Sequence, residues 1–140
     1  MRCVLDTNVV VAAMRSPAGA SAEVLHMARR GEMTLLANVA LALEYEATCG
    51  LPEHRLAAGL EPHEVRVFVD AVLAMAEPVE THFMWRPQLR DPADEFVLEA
   101  AVNGQAAVIV TFNRRDFGGV PARFGIEALT PAEAIRRIRR

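Results

Sequence analysis

The sequence predicts an α/β protein in which helices cover a central parallel sheet. Short runs of β-branched and apolar residues alternate along the chain with stretches of helical periodicity, as they do in strand–helix–strand units. The length of 140 residues fits one domain that spans residues 1–140. Hydrophobic residues make up 52% and charged residues 24%, so the chain can fill a core and does not have the composition of a disordered segment.

In the N-terminal half we expect two strands and three helices. Asp6-Thr7-Asn8 opens the first helix, and Gly31 ends the second. Asn38 is a candidate N-cap for the third helix, which ends at Gly50-Leu51-Pro52. The expected elements, in chain order, are a strand at residues 2–5, helices at 9–14 and 20–30, a strand at 33–37 and a helix from 38 to 49.

The C-terminal half begins with the clearest helix, which starts at Pro62. Its apolar residues recur at i, i+3, i+4, i+7, i+8 and i+11 between Val65 and Ala76, so we expect this stripe to lie in the core. Pro78 then ends the helix, an edge strand is expected at residues 79–81, and residues 82–90 read as irregular. Further on we expect a helix from Asp91-Pro92 to residue 104, strands at 107–111 and 126–129, and a terminal helix after Thr130-Pro131.

The charge balance excludes several classes of function. Fifteen basic against eighteen acidic side chains give a net charge of −3, and four of the basic residues lie in residues 136–140. An acidic body argues against a broad positive surface for nucleic acid, but it is compatible with a local site in which metal ions reverse the sign of the charge. Every basic residue is arginine, which excludes P-loop phosphate binding through lysine, Schiff-base chemistry and lysine-dependent kinase chemistry.

The cysteines and the N-terminus indicate a cytoplasmic protein. Cys3 and Cys49 show no zinc-site spacing with the four scattered histidines, so we expect two buried, reduced thiols. Asp6 comes before a signal-peptide core could form, and no apolar run approaches the ~18 residues of a membrane span. No membrane partner is therefore expected.

Several acidic residues are expected to meet at one edge of the sheet. In an open parallel sheet, ligands bind in the crevice beyond the carboxyl ends of the strands. Asp6 follows the first strand, and Asn113 and Asp116 follow the strand that ends at Thr111. Asp94 lies on the apolar face of its helix, and because that face must pack on the sheet, Asp94 points toward the same edge. Paired carboxylates are therefore expected there.

A further acid comes from the third helix, where two glutamates compete. Glu44 shares a helix face with Ala40, Leu41 and Ala47, so it can point inward. Glu46 shares its own face with other apolar residues. The periodicity alone does not choose between the two glutamates.

Each of the other acids also has a simpler structural explanation. Asp91 is most simply an N-cap with Pro92 at the first helical position, and Asp6 can cap the first helix. Asp94 can complement the helix dipole, and Asp116 can be a turn residue. Their convergence is the stronger signal, because crowded carboxylates repel one another and persist only with protons or cations between them.

The available ligands favour a hard divalent cation. Oxygen ligands without Cys or His select Mg²⁺ or Mn²⁺ over zinc, and Mg²⁺ keeps waters that a phosphate group can replace. The implied reaction is hydrolysis of a phosphodiester, in which the metal activates water and neutralises developing charge. Ser16 and Ser21 are the only serines and neither lies in a nucleophile motif, so the metal must do most of the chemistry.

Four short motifs follow one another along the chain: Val4-Leu5-Asp6-Thr7-Asn8-Val9, Glu44-Tyr45, Asp91-Pro92-Ala93-Asp94-Glu95 followed by Ala100-Ala101, and Val110-Thr111-Phe112-Asn113-Arg114-Arg115-Asp116-Phe117. Together they resemble the PIN-domain family, and most closely its members in bacterial and archaeal toxin–antitoxin pairs. The resemblance covers nearly the whole chain, and the order and spacing of the motifs make it specific. It implies an α/β/α three-layer sandwich with a central parallel sheet, and a metal-dependent ribonuclease that uses three or four acidic residues.

By position, the resemblance implies a catalytic set of Asp6, Glu44 and Asp94, with Asp116 as the fourth acid. The second motif favours Glu44 over Glu46. We assign metal contacts to Asp6, Asp94 and Asp116. The supporting polar residues are Thr7, Asn8, Thr111 and Asn113.

One position departs from the pattern of the related toxins. Asn113 stands where Asp is common in this branch, and a neutral amide oxygen binds a divalent ion less strongly than a carboxylate. Whether Asn113 or Asp116 fills the fourth position therefore stays open. Arg114 and Arg115, beside Asp116, are expected to hold the substrate phosphate.

The substrate and partners are expected to be those of a toxin. We expect an endoribonuclease acting on single-stranded or structured RNA, held in check by an antitoxin protein and forming a homodimer, with helices at 20–30 and 62–76 as candidate faces. Residues 82–90 could stack on RNA or form a loop anchored by Trp85, and residues 136–140 could touch RNA or be a solvated helix end.

The alternative class is a catalytically inactive PIN domain that binds RNA or protein, and Asn113 keeps it open. A haloacid-dehalogenase phosphatase would need an acid where Asn8 stands.

Overall fold

Five strands form a single parallel sheet in the computed structural model, which describes residues 1–82 and 89–139. Every pair of neighbouring strands is parallel. The α/β class and the central parallel sheet are therefore confirmed. The sheet has the order β3-β2-β1-β4-β5, where the strands are β1 (Arg2–Leu5), β2 (Thr34–Ala37), β3 (Ala76–Pro78), β4 (Val108–Val110) and β5 (Glu127–Leu129).

Helices connect the strands and form the outer layers. Parallel neighbours need crossover connections, and right-handed crossovers in the two directions place helices on both faces of the sheet. The result is the three-layer α/β/α sandwich predicted from sequence. The helices within the described ranges are α1 (Thr7–Arg15), α2 (Ala20–Arg29), α3 (Val39–Cys49), α4 (Pro52–Ala58), α5 (Pro62–Met75), α6 (Pro92–Asn103), α7 (Arg114–Phe117), α8 (Val120–Arg123) and α9 (Pro131–Ile138).

Side-chain caps set the starts of three helices where the sequence predicts them. The Asn38 side chain accepts a hydrogen bond from the N–H of Leu41 at 2.8 Å and begins α3. Asp91 accepts from the N–H of Ala93 at 2.9 Å and begins α6. Thr130 caps α9 in the same way. Each cap satisfies a backbone donor that the helix itself leaves unpaired.

The edge strand lies three residues earlier than predicted. Helix α5 ends at Met75 and β3 begins at Ala76 with no intervening loop, so the expected strand at residues 79–81 is wrong in position. Pro78 lies within β3, opposite Ala37 of β2. In the sequence, Pro78 predicts the end of regular structure because its nitrogen cannot donate a hydrogen bond. An edge strand pairs with a neighbour on one side only, so it can contain a proline.

Three short helices were not predicted from the sequence. No residue of α4 is buried, so α4 lacks the apolar periodicity that would reveal it. Its signals are Pro52 at the first position and Gly59 in the left-handed conformation, with φ of 72°. Helices α7 and α8 have four residues each, which is too short for a helical period to repeat.

The predicted core and the predicted state of the cysteines are confirmed. Val65, Val69 and Val72 on α5 are buried in the core. Cys3 and Cys49 are buried and form no disulfide, and burial raises the pKa of Cys3 to about 12 and that of Cys49 to about 11. Both thiols therefore stay protonated at neutral pH. In the described ranges, no helix combines the length and apolarity needed to cross a lipid bilayer.

The topology creates a crevice between the ends of β1 and β4. These strands are neighbours, yet the connection after β1 leads to β2 on one side and the connection after β4 leads to β5 on the other. Such a reversal of strand order opens a cleft at the carboxyl ends of the strands. The backbone N–H of Asp6 donates to the carbonyl of Val110 at 2.9 Å, which places Asp6 directly beside the end of β4.

Candidate active site

The carboxylate of Asp6 is held in place by the strand next to it. Thr111 Oγ1 donates a hydrogen bond of 2.7 Å to Asp6 Oδ2, and both residues are buried. The same hydroxyl oxygen accepts the backbone N–H of Asn113 at 3.0 Å, which fixes the rotamer of Thr111. Although Asp6 occupies the N-cap position of α1, its side chain makes no capping hydrogen bond. The capping explanation for Asp6 is therefore not supported.

Asp94 lies at the buried N-terminus of α6. It is the third residue after the Asp91 cap, and only 8% of its surface is exposed. Burial is the largest cause, and together with the negative charges of Asp6, Asp91 and Asp116 it raises the pKa of Asp94 to about 7. A carboxyl group that resists ionisation near neutral pH is typical of a functional cluster.

Asp6 lies in the same electrostatic field. Burial raises its pKa, and the charges of Asp116 and Asp91 add to this effect, while the hydrogen bond from Thr111 opposes it. Charges act strongly on one another only over short distances, so the effect of Asp116 on Asp6 and on Asp94 indicates that carboxylates from distant parts of the sequence converge. Three sequence-predicted acids, Asp6, Asp94 and Asp116, are therefore brought together.

A cavity of about 440 Å³ opens at this cluster, and we call it the acidic cavity. Its polar lining combines three carboxylates with two guanidinium groups. Arginine binds phosphate through several parallel hydrogen bonds, so the cavity can accept an anionic group beside the carboxylates. The lining residues are Leu89, Arg90, Asp91, Asp94, Arg115, Asp116, Phe117, Gly118 and Val120.

Of the two arginines predicted to hold phosphate, the structure places one in the cavity. Arg115 lines it. Arg114 points elsewhere and pairs with Glu133 at 3.3 Å. Arg90 also lines the cavity and was not singled out from the sequence, because it lies at the end of a segment without periodicity. Residues 83–88 lie outside the described residues, so the interpretations of that segment, including the anchoring role of Trp85, stay predictions.

Glu44 is not among the residues that line the acidic cavity in the described part of the chain. It is half-buried on α3, where it accepts a hydrogen bond from Thr48 of the same helix at 3.2 Å. Its neighbour Tyr45 is fully buried and donates a hydrogen bond to the carbonyl of Leu5, the residue before Asp6. The Glu44-Tyr45 motif thus contacts the site through the tyrosine.

Of the remaining polar residues predicted for the site, Asp116 lines the acidic cavity and the others lie outside its lining. Thr7 is buried at the start of α1, and Asn8 is exposed. Asn113 is exposed at the N-cap of α7 and contacts Thr111 through its backbone. Asp116 lines the acidic cavity and perturbs both buried aspartates, whereas Asn113 does not line it. The geometry favours Asp116 over Asn113 as the fourth polar group.

The donor set fits a hydrated divalent cation better than a closed metal cage. Among residues 1–82 and 89–139, no three His, Cys, Asp or Glu side chains are arranged to hold a metal ion. Mg²⁺ commonly takes only one or two carboxylates and keeps several waters. Asp6 and Asp94 are buried carboxylates whose repulsion a cation would relieve, so the residues present are compatible with such an ion.

Comparison with known families gives the class of protein. A family model described as PIN domain matches residues 2–115. The chain belongs to the PIN domain family, whose members are generally nucleases and typically use divalent metals. The comparison with curated proteins finds no match.

Proposed function

We propose that this protein is a Mg²⁺- or Mn²⁺-dependent endoribonuclease and the toxin of a type II toxin–antitoxin pair. The observation that carries the proposal is the convergence of Asp6, Asp94 and Asp116 beside a cavity that also contains Arg90 and Arg115. Carboxylates attract a divalent cation and arginines attract a phosphodiester, so the two charge types together suit a metal-dependent nuclease.

The proposed roles of the residues follow from their positions. Asp6 and Asp94, with Asp116 at the cavity wall, would hold the cation. Thr111 orients the Asp6 carboxylate through its hydrogen bond. Arg115 and Arg90 would bind the phosphate that flanks or contains the scissile bond. When bound, the divalent ion supplies water activation and neutralisation of charge on the phosphate.

Asp91 has two roles in this proposal. Its side chain caps α6 and so positions Asp94 one turn away. Its charge also contributes to the field that raises the pKa values of Asp6 and Asp94. Loss of the Asp91 carboxylate would therefore both loosen the helix start and weaken cation binding. Glu44 stays a predicted member of the acidic set, acting from outside the acidic cavity.

The test is metal-dependent cleavage of RNA by the purified protein. Single-stranded RNA, structured RNA and single-stranded DNA of the same sequence are incubated with Mn²⁺, Mg²⁺ or EDTA. We expect cleavage of RNA only with metal, and a loss of at least about 100-fold in Asp6→Asn and Asp94→Asn. Asp70→Asn, an exposed aspartate on α5, is the matched control and should cleave like the wild type.

Two results would count against the proposal. Cleavage that survives both EDTA and Asp94→Asn would show a contaminating nuclease or a metal-free mechanism. RNA binding without cleavage under any metal would favour the alternative, an inactive PIN domain that binds RNA or protein. Asn113, and the lack of a closed metal cage in the described residues, are the observations on which that alternative rests.

The toxin role and the partners are tested in cells. Expression of the wild type should arrest growth, Asp94→Asn should not, and co-expression of a small protein encoded beside this gene should restore growth. Growth arrest by Asp94→Asn would contradict a toxic activity that depends on the site. A homodimer is proposed as well, and its measured mass in solution would test it.

A further inference from the structure

A second groove, of about 390 Å³, is lined in part by residues that are close in sequence to Asp6 and Thr111. It lies between α1, α4 and the residue that follows Thr111, and we call it the side groove. Asn8, two residues after Asp6, and Phe112, the residue after Thr111, form its end nearest the carboxylates. Arg15 and His54 form part of its lining as well. Asp6 and Thr111 are hydrogen-bonded to each other. Asn8 follows Asp6 by two residues and Phe112 follows Thr111 by one, so this end of the groove is only one or two residues along the chain from the acidic cluster.

Phe112 is an aromatic side chain exposed beside a charged site. It is 49% exposed, whereas Val110 and Thr111 before it are fully buried and Phe117 after it is fully buried too. Phe117 is therefore packed in the core, whereas about half of the nearby Phe112 side chain is exposed to solvent. An exposed ring offers a flat apolar face on which a nucleic-acid base can stack, and such stacking is independent of base sequence.

Arg15 supplies a positive charge to the same groove. Its guanidinium lies 3.1 Å from His54 Nδ1. Within the described residues, five other arginines form salt bridges with glutamates, but Arg15 has no carboxylate partner. This guanidinium therefore keeps most of its donors for an anion.

The length of the groove along α1 suits one further nucleotide of the substrate. Asn8, Val11 and Arg15 lie three and four residues apart, so they share one face of the helix. At about 1.5 Å per residue, Arg15 lies roughly 10 Å along the axis from Asn8. The groove thus extends along α1 from Asn8, two residues after Asp6, to the guanidinium of Arg15.

We propose that the side groove binds a nucleotide of single-stranded RNA that lies just beyond the two nucleosides joined by the scissile phosphate, with its base stacked on Phe112 and its phosphate bound by Arg15. This inference rests on the proposed nuclease function. It assigns substrate recognition to residues outside the acidic cavity. A double helix would not fit this role, because its bases are stacked on each other and unavailable to the ring.

The experiment compares a long and a short substrate. Cleavage of a single-stranded decanucleotide and of a dinucleotide is measured for the wild type, Phe112→Ala, Phe112→Trp and Arg15→Gln. Phe112→Ala should raise KM for the decanucleotide about 5- to 100-fold with little change in kcat, because it removes binding that ground and transition states share. The dinucleotide has only the two nucleosides that the scissile phosphate joins and no nucleotide beyond them, so its cleavage should not change. Phe112→Trp should keep the wild-type KM.

Matched controls separate the groove from general surface effects. Phe124→Ala removes another exposed phenylalanine, 38% exposed, and Arg29→Gln removes another exposed arginine. Neither residue lines the acidic cavity or the side groove, and neither variant should change KM. Thermal unfolding of each variant shows whether the fold is intact.

Each outcome decides the inference. Wild-type cleavage with an unchanged decanucleotide KM in Phe112→Ala and Arg15→Gln overturns the side groove and leaves the proposed function standing. An equal loss on both substrates also overturns it, since the residues would then act on the chemistry. Unchanged RNA cleavage with loss of a co-purifying protein would reassign the groove to a protein partner. If the wild type neither binds nor cleaves RNA, the proposed function fails first and the inference fails with it.

Discussion

The hydroxyl of Thr111 donates a 2.7 Å hydrogen bond to the carboxylate of Asp6, joining residues 105 positions apart in sequence. This contact links the ends of two neighbouring parallel strands and orients the most buried acid of the site. Because the bond favours the ionised form, it also works against the burial that raises the pKa of Asp6.

Replacing Thr111 with valine should reduce activity and stability together. Valine has the same shape but leaves Asp6 without its hydroxyl donor, which should cost about 1–3 kcal/mol of unfolding free energy with Asp6 ionised. We expect kcat/KM to fall at least about 10-fold, since the carboxylate loses its orientation. Urea unfolding and RNA cleavage measure the two effects.

Thr111→Ser is the matched control for this prediction. Serine keeps the hydroxyl and should retain most of the activity of the wild type. A Thr111→Val variant as active as Thr111→Ser would show that the hydrogen bond has no role in orienting Asp6.

The stability of the metal-free protein should fall as the pH rises from about 4 to about 8. The pKa of Asp94 is about 7 in the folded protein and near 3.8 in the unfolded chain, so the folded state binds the proton more tightly. Between these values the unfolded chain has already released its proton, and the free energy of unfolding should decrease by roughly 2–4 kcal/mol. Urea denaturation in EDTA at a series of pH values measures it.

Asp94→Asn isolates this contribution. The amide does not titrate, so the decrease across this pH window should be much smaller in the variant than in the wild type. Parallel pH profiles for the two proteins would show that the environment of Asp94 does not favour its protonated form.

Divalent cations should stabilise the protein, and more so at high pH. At a concentration about 100 times its Kd, a bound ion adds roughly 2.7 kcal/mol, which for a chain of this size raises Tm by about 5–10 °C. The rise should be larger at pH 8 than at pH 5.5, because a carboxylate must lose its proton before it binds the ion. Calorimetry with Mg²⁺ or Mn²⁺ against EDTA measures the shift.

Two variants separate this site from loose ion binding elsewhere. Asp6→Asn should lose most of the rise in Tm, whereas the exposed Asp70→Asn should keep it. An equal shift in both variants would place the cation somewhere other than the acidic cluster.

Tyr45→Phe should affect activity through the backbone of the site. The tyrosine hydroxyl is buried and donates to the carbonyl of Leu5, and its loss leaves that carbonyl without this donor. We expect a loss of about 1–2 kcal/mol in unfolding free energy and a several-fold lower kcat with an unchanged affinity for RNA. A raised KM with unchanged kcat would instead indicate a direct contact with the substrate.

The sequence predicted most of the architecture because the relevant signals are local. Asn38, Asp91 and Thr130 each mark a helix start through a bond to a residue two or three positions away. The strand that precedes Asp6 and the strand that precedes Thr111 are short, continuous apolar runs, which are typical of a parallel sheet buried on both faces. The sequence does not predict α4, because this helix has no apolar periodicity. It predicts β3 at the wrong position, because Pro78 lies within that strand.

The sequence does not resolve the roles of the acids in the site, because several roles produce the same local pattern. Asp91 and Asp94 both fit a helix start when read from sequence, and the structure shows that Asp91 caps α6 while its charge also acts on the buried Asp94. Glu44 and Glu46 could not be separated by periodicity, and in the structure neither lines the acidic cavity in the residues described.

The sequence by itself determined the order of the strands and of the longer helices, the helix caps and the acids at the ends of β1 and β4, because each depends on neighbours within one turn or one strand. Only the tertiary structure decided that Thr111 holds Asp6, that Tyr45 contacts Leu5, that Arg90 enters the acidic cavity and that Phe112 stays exposed. These contacts form when the strands pair and the helices pack on them, and no periodicity in the chain records which distant residues then become neighbours.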